Sequence, residues 1–246
     1  PALLGRFAVT KHAFREFVDG GGYEQRARWD SKIWPAVFGF VDTTGHAGPR
    51  YWKNGTYPRG EDDHPVVGVS WHEANAYARW VGKRLPSDAE WVKAGCWPMP
   101  VPSGLPKQRR FPWGDAWEPD RANIWSSGVG RTCPVTGFAD GASVAGVYGL
   151  VGKVWEWTAD PFGLWHSWSA DTEQNGALRS LRGGSFDTYF ESQANCQFQS
   201  GDSPLARKHN IGFRCAIGLC DLRGPAPASI EQAPLEQEQA LVCERV

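Results

Sequence analysis

The chain has a single methionine in 246 residues, and no stretch approaches the ~20 consecutive apolar residues that span a bilayer. Its first ten residues lack the shape of a secretion signal, so the chain as given reads as soluble, with neither signal peptide nor transmembrane segment. Neither sign of charge is in excess. Lys and Arg total 26 against 27 Asp and Glu, which removes the basic footprint that a nucleic acid or an anionic membrane would require. Six cysteines are too few and too scattered for a disulfide-dense scaffold, and without a CxxC a structural zinc site is set aside. The six histidines include no HxxxH or HExxH pair that would place two imidazoles on one helical face. There is no tandem repeat of fixed period, which argues against propellers and solenoids.

What the chain does have is 14 Trp, 29 Gly and 18 Pro. Large aromatic side chains must fill the core, and frequent turns must break the backbone, so the expected class is an irregular α+β fold. Thr10 caps a short amphipathic helix carrying Phe14, Phe17 and Val18, which Gly20–Gly22 ends. Residues 23–60 read as a long ordered loop region pinned by Trp29, Trp34, Tyr51 and Trp52. Pro65–Val69 reads as a short buried strand. Ser70 opens a helix with an Ala74, Tyr77, Ala78, Val81 stripe, and Ser87-Asp-Ala-Glu90 has capping-box spacing for a second main helix. Leu181–Phe186 and Ile211–Ile217 read as two further strands bracketing a polar excursion. In Val154-Trp-Glu-Trp157, alternation sends both tryptophans to one face and Glu156 to the other, where a carboxylate needs a cation or several hydrogen bonds. The domain is expected over 1–221, followed by a mobile tail over 222–246.

Several strings, taken in order, resemble the formylglycine-generating-enzyme (sulfatase-modifying-factor) superfamily. Val69–Trp91 reads VSWHEANAYARWVGKRLPSDAEW. It is followed by Phe111-Pro-Trp-Gly-Asp115, Ala122-Asn123, Val151-Gly-Lys-Val-Trp-Glu-Trp157, Arg182-Gly-Gly-Ser-Phe186 and Gly212-Phe-Arg-Cys215. The resemblance implies that family's variant of the C-type-lectin fold, with small twisted antiparallel sheets, two main helices and long ordered loops. It also implies two cysteines after the GGS motif that hold a metal and oxidise a substrate cysteine. Here Thr188 stands at the first of those positions, and the only cysteine between Ser185 and Gly201 is Cys196. A hydroxyl cannot replace a thiolate as a soft-metal ligand or exchange partner.

By the same resemblance Cys96 and Cys196 stand at a structural cysteine pair, disulfide-bonded in an oxidising compartment and two buried thiols otherwise. Calcium is the family ligand still open, at Asn123 and at Glu156. Gly149 and Lys153 replace oxygen donors beside Glu156, and the alternative has Glu156 bonded to backbone amides or paired with Lys153. The sulfoxide-synthase branch of the family carries its iron on histidines of a separate domain, in a motif this chain lacks. Residues 186–210 correspond to the family's substrate groove and to the ligand surface of the variable proteins of diversity-generating retroelements. This leads to a recognition domain for a protein, peptide or glycan, using Phe186, Thr188, Tyr189, Phe190, Asn195, Phe198, His209 and Asn210 with Trp165 and Trp168 nearby. The alternative is an oxidoreductase of the formylglycine-generating or sulfoxide-synthase class, which needs a metal site or domain not evident in this chain.

Overall fold

The computed structural model describes residues 2–96, 108–163 and 178–219. Trp165, Trp168 and the expected tail at 222–246 lie outside them. Helix α1 (Lys11–Asp19) starts at Thr10, whose hydroxyl accepts from the Ala13 amide, and it buries Phe14 and Phe17 completely. A four-residue helix, α2 (Trp34–Val37), interrupts the region expected to be all loop. Helices α3 (Trp71–Trp80) and α4 (Asp88–Gly95) each begin with a complete capping box. Ser70 and Glu73 form the first and Ser87 and Glu90 the second, each satisfying two backbone N–H groups reciprocally, and a cap of this kind contributes about 1 kcal/mol.

Strand β1 (Ala2–Leu4) pairs antiparallel with β6 (Ala216–Gly218). The larger sheet has the order β4 (Gln199–Asp202), β3 (Arg179–Arg182), β2 (Trp155–Pro161), β5 (Ile211–Phe213). The β2–β3 and β3–β4 pairs are antiparallel as expected, whereas β2 and β5 run parallel. The larger core packs Phe14, Phe17, Tyr23, Trp52, Tyr77, Trp157 and Phe213 between α1, α3 and the sheet, and a second cluster gathers Trp91, Ile124, Leu150 and Cys196.

Three strand expectations are corrected. Pro65–Val69 makes only a single bridge, Pro65 to Thr10, because Gly68 turns to φ +76° and breaks the extended run. Ile211–Ile217 is two strands in different sheets: between them Arg214 turns its side chain fully inside. The strand expected over Leu181–Phe186 ends at Arg182, because Gly183 and Gly184 have φ +99° and +77°. A Cβ on Gly183 would also meet the Leu150 carbonyl at 2.5 Å, so only glycine lets the chain turn here. Glu156 and Trp157, expected on opposite faces of β2, are both buried.

Candidate functional site

Beneath the GGS turn lies a buried polar frame. Glu156 Oε2 accepts from Arg214 Nε at 2.6 Å and from the Trp91 indole at 2.7 Å, while Oε1 accepts from Arg214 Nη2 at 2.7 Å. Arg214 spends its other donors on the carbonyls of Gly5 and Tyr148. The partner of Glu156 is therefore Arg214, not Lys153 or backbone amides. Lys153, also buried, donates from Nζ to the Pro134 and Val135 carbonyls at 3.0 and 2.7 Å. Burial lowers its pKa to about 8, so it is protonated at neutral pH. Asn123 is fully buried. Its amide donates to the Arg131 carbonyl, and its oxygen lies 2.9 Å from the Ser127 hydroxyl, whose one proton it shares with the Ile124 carbonyl at 2.7 Å. A hard divalent cation needs six to eight oxygens. Both Glu156 oxygens already accept from protein donors, and an ammonium sits on the nearby carbonyls, so these residues do not fit that group.

Above the frame the chain leaves β3 and rises to the surface. Phe186 donates its amide to the Lys153 carbonyl at 3.0 Å, which ties the start of the segment to the frame. The Thr188 hydroxyl accepts from the Ser185 amide at 2.8 Å, and Thr188 is buried, so the residue at the family's first cysteine position serves the turn. Between them Asp187 gathers three neighbours: Ser185 Oγ donates to it, Asn210 Nδ2 donates to both its oxygens, and His209 Nε2 lies 3.1 Å away. Burial opposes ionisation of Asp187, but hydrogen bonds from Ser185 and Asn210 and the His209 charge outweigh it and hold the carboxyl below its usual range. The His209 ring packs edge-on against Phe186 at 5.8 Å and Tyr51 at 6.3 Å.

The expected surface residues divide sharply. Tyr189 is 66% exposed and Phe190 59%; they meet edge-on at 5.2 Å, and Trp125, 58% exposed, sits 6.2 Å from Tyr189. His209 is exposed and Asn210 half-buried. Phe186, Thr188 and Asn195, by contrast, are buried. Asn195 closes a turn, its oxygen accepting from the Gln197 and Phe198 amides, and Phe198 packs on Trp155. Trp165 and Trp168 lie outside the described residues. Asp187, Trp125 and Tyr51 were missed by the sequence reading. The signal for Asp187 was there: an acidic residue two positions after the GGS serine, in a turn that must cluster polar groups.

Cys96 and Cys196 are brought together. Both are buried free thiols, a hydrogen bond between them lowers the pKa of Cys96, and burial together with Cys96 raises that of Cys196. The other described cysteines are remote from Thr188 in their contacts: Cys133 lies against the Asn123 amide, and Cys215 packs in the larger core. Among the described residues, no group of three or more His, Cys, Asp or Glu side chains could hold a metal ion, and no helix is long and apolar enough to cross a membrane.

An aromatic-packed α+β scaffold with little regular structure, carrying an exposed loop surface between two strands, defines a C-type-lectin-like protein. Treponema denticola variable protein 1 has this fold: it superposes with a TM-score of 0.54 at 17% identity, over 88% of this chain and 84% of that one. Residues 2–219 match the model of the sulfatase-modifying factor enzyme 1-like domain, and the chain belongs to that family. Formylglycine-generating enzyme from Thermomonospora curvata is 33% identical over 88% of this chain and 82% of its own length. Hercynine oxygenase from Mycolicibacterium thermoresistibile is 34% identical over 87% of this chain, and the match spans only 50% of that protein.

Proposed function

We propose that this chain is a recognition domain whose ligand surface is the patch formed by Trp125, Tyr189 and Phe190 beside the Asp187–His209–Asn210 cluster. One observation carries the reading. Three large aromatics, each more than half exposed, adjoin the cluster on loops that the buried frame holds in place. Exposed rings supply contact area at low entropic cost, and the polar cluster beside them supplies direction. Thr188 supports the same reading. Where the family's redox chemistry uses a thiolate, this hydroxyl is spent on the Ser185 amide.

Selection of the purified protein against a displayed peptide library and a glycan array tests the proposal. A binder is expected, and Tyr189→Ala with Phe190→Ala should weaken it at least ~10-fold, as loss of exposed aromatic anchors does. Unchanged affinity would move the surface elsewhere. A second reading draws on the hercynine oxygenase likeness: the chain would form the C-terminal part of an oxygenase whose metal is held by another domain. Stoichiometric iron in a longer protein that joins this chain to such a domain, and turnover of a thiol substrate there that is lost with Tyr189→Ala and Phe190→Ala, would favour that reading over recognition.

A further inference from the structure

We propose that the Lys153 ammonium is a tethered structural cation that takes the place of a bound metal ion beneath the recognition segment. Lys153 is one of three non-glycine residues with positive φ among the described residues, at +65°, and it is 2% exposed. A long side chain in the left-handed region is strained unless its surroundings demand it. Here they do, because Nζ closes on two carbonyls of the 134–135 loop. Its own backbone meanwhile bonds Asn123 on one side and Phe186 on the other. One residue thus joins three separate segments, as a coordinated ion would.

Gly149 is built to match. A Cβ there would stand 3.0 Å from Lys153 Cδ, so the glycine leaves the channel through which the lysine stem passes. The Glu156 oxygens that could have bound a metal are engaged by Arg214 and Trp91, while the Asn123 oxygen shares the single Ser127 hydroxyl proton with the Ile124 carbonyl.

Thermal unfolding in EDTA and in millimolar calcium chloride tests this without reference to any ligand of the surface, so its outcome is independent of the recognition reading. The wild-type midpoint should be the same in both, and calorimetric titration with calcium should show no stoichiometric binding. Lys153→Met keeps the stem and removes the charge, so its midpoint should fall equally in both media. Lys153→Asn suits the left-handed backbone and exposes the carbonyls. Its midpoint should fall in EDTA and recover in part with calcium, by mass action on the opened site. A wild-type midpoint that rises with calcium, or a stoichiometric calcium isotherm, would overturn the proposal even if neither variant folds. So would a Lys153→Met midpoint equal to wild type.

Discussion

Glu156 and Asp187 are both carboxylates set among aromatic rings beside a basic side chain, and the Lys153–Phe186 backbone bond joins their neighbourhoods. Around Glu156 every donor is spoken for: Arg214 closes on both carboxylate oxygens and on carbonyls from two other segments, and the whole is sealed at 0–1% exposure. Around Asp187 the basic partner, His209, is itself exposed, and of the nearby rings Tyr189 and Phe190 are exposed while Phe186 is buried. The difference lies in backbone supply. Where loop carbonyls converge, charge is consumed internally and yields a fixed frame. Where the chain bulges outward after Gly184, the same chemistry stays available to a partner. A polar residue in this fold is informative about function only when its shell is open.

The largest expected effect breaks the closed shell. Arg214→Met strands a buried carboxylate and should cost about 3–5 kcal/mol in urea unfolding. A loss under about 1 kcal/mol would mean that the frame does not hold the fold. Next comes the thiol pair behind α4. On mild oxidation, non-reducing peptide mapping should recover Cys96 linked to Cys196, and the bridge should stabilise the domain by about 2–4 kcal/mol. Recovery of Cys96 with Cys133 or Cys215 instead would show that the two thiols are not the mates their contact suggests.

The closed shell was partly legible in the sequence and the open one hardly at all. Helix starts could be read because Thr10 and Ser87 carry their instructions within a few residues, and the Ser70–Glu73 box carries the same spacing though it went unread. That Glu156 would need a cation followed from its aromatic neighbours. Which cation did not, since Arg214 arrives from 58 residues away and Lys153 from within the motif turned to other carbonyls. The break at Arg214 and the parallel β2–β5 pair were hidden for the same reason: local alternation cannot reveal that one residue in a strand-like run is claimed by a distant carboxylate. On the surface, composition located the segment but could not separate Tyr189 and Phe190, which face out, from Thr188 and Asn195, whose side chains are used up in turns.

The smallest expected effect sharpens the comparison from the open side. Edge-on aromatic pairs such as Tyr189–Phe190 and Trp125–Tyr189 are worth roughly 0.5–1.5 kcal/mol beyond their area burial. Here both partners are more than half exposed, so little area is buried and solvent replaces much of the contact. Tyr189→Ala combined with Phe190→Ala should therefore change unfolding stability by no more than about 0.5 kcal/mol, the range of ordinary surface substitutions. A loss above about 1.5 kcal/mol would make the trio a structural cluster holding the 186–210 segment in place. Any fall in ligand affinity would then reflect a collapsed loop, and the contrast between a closed frame and an open surface would fail at its open end.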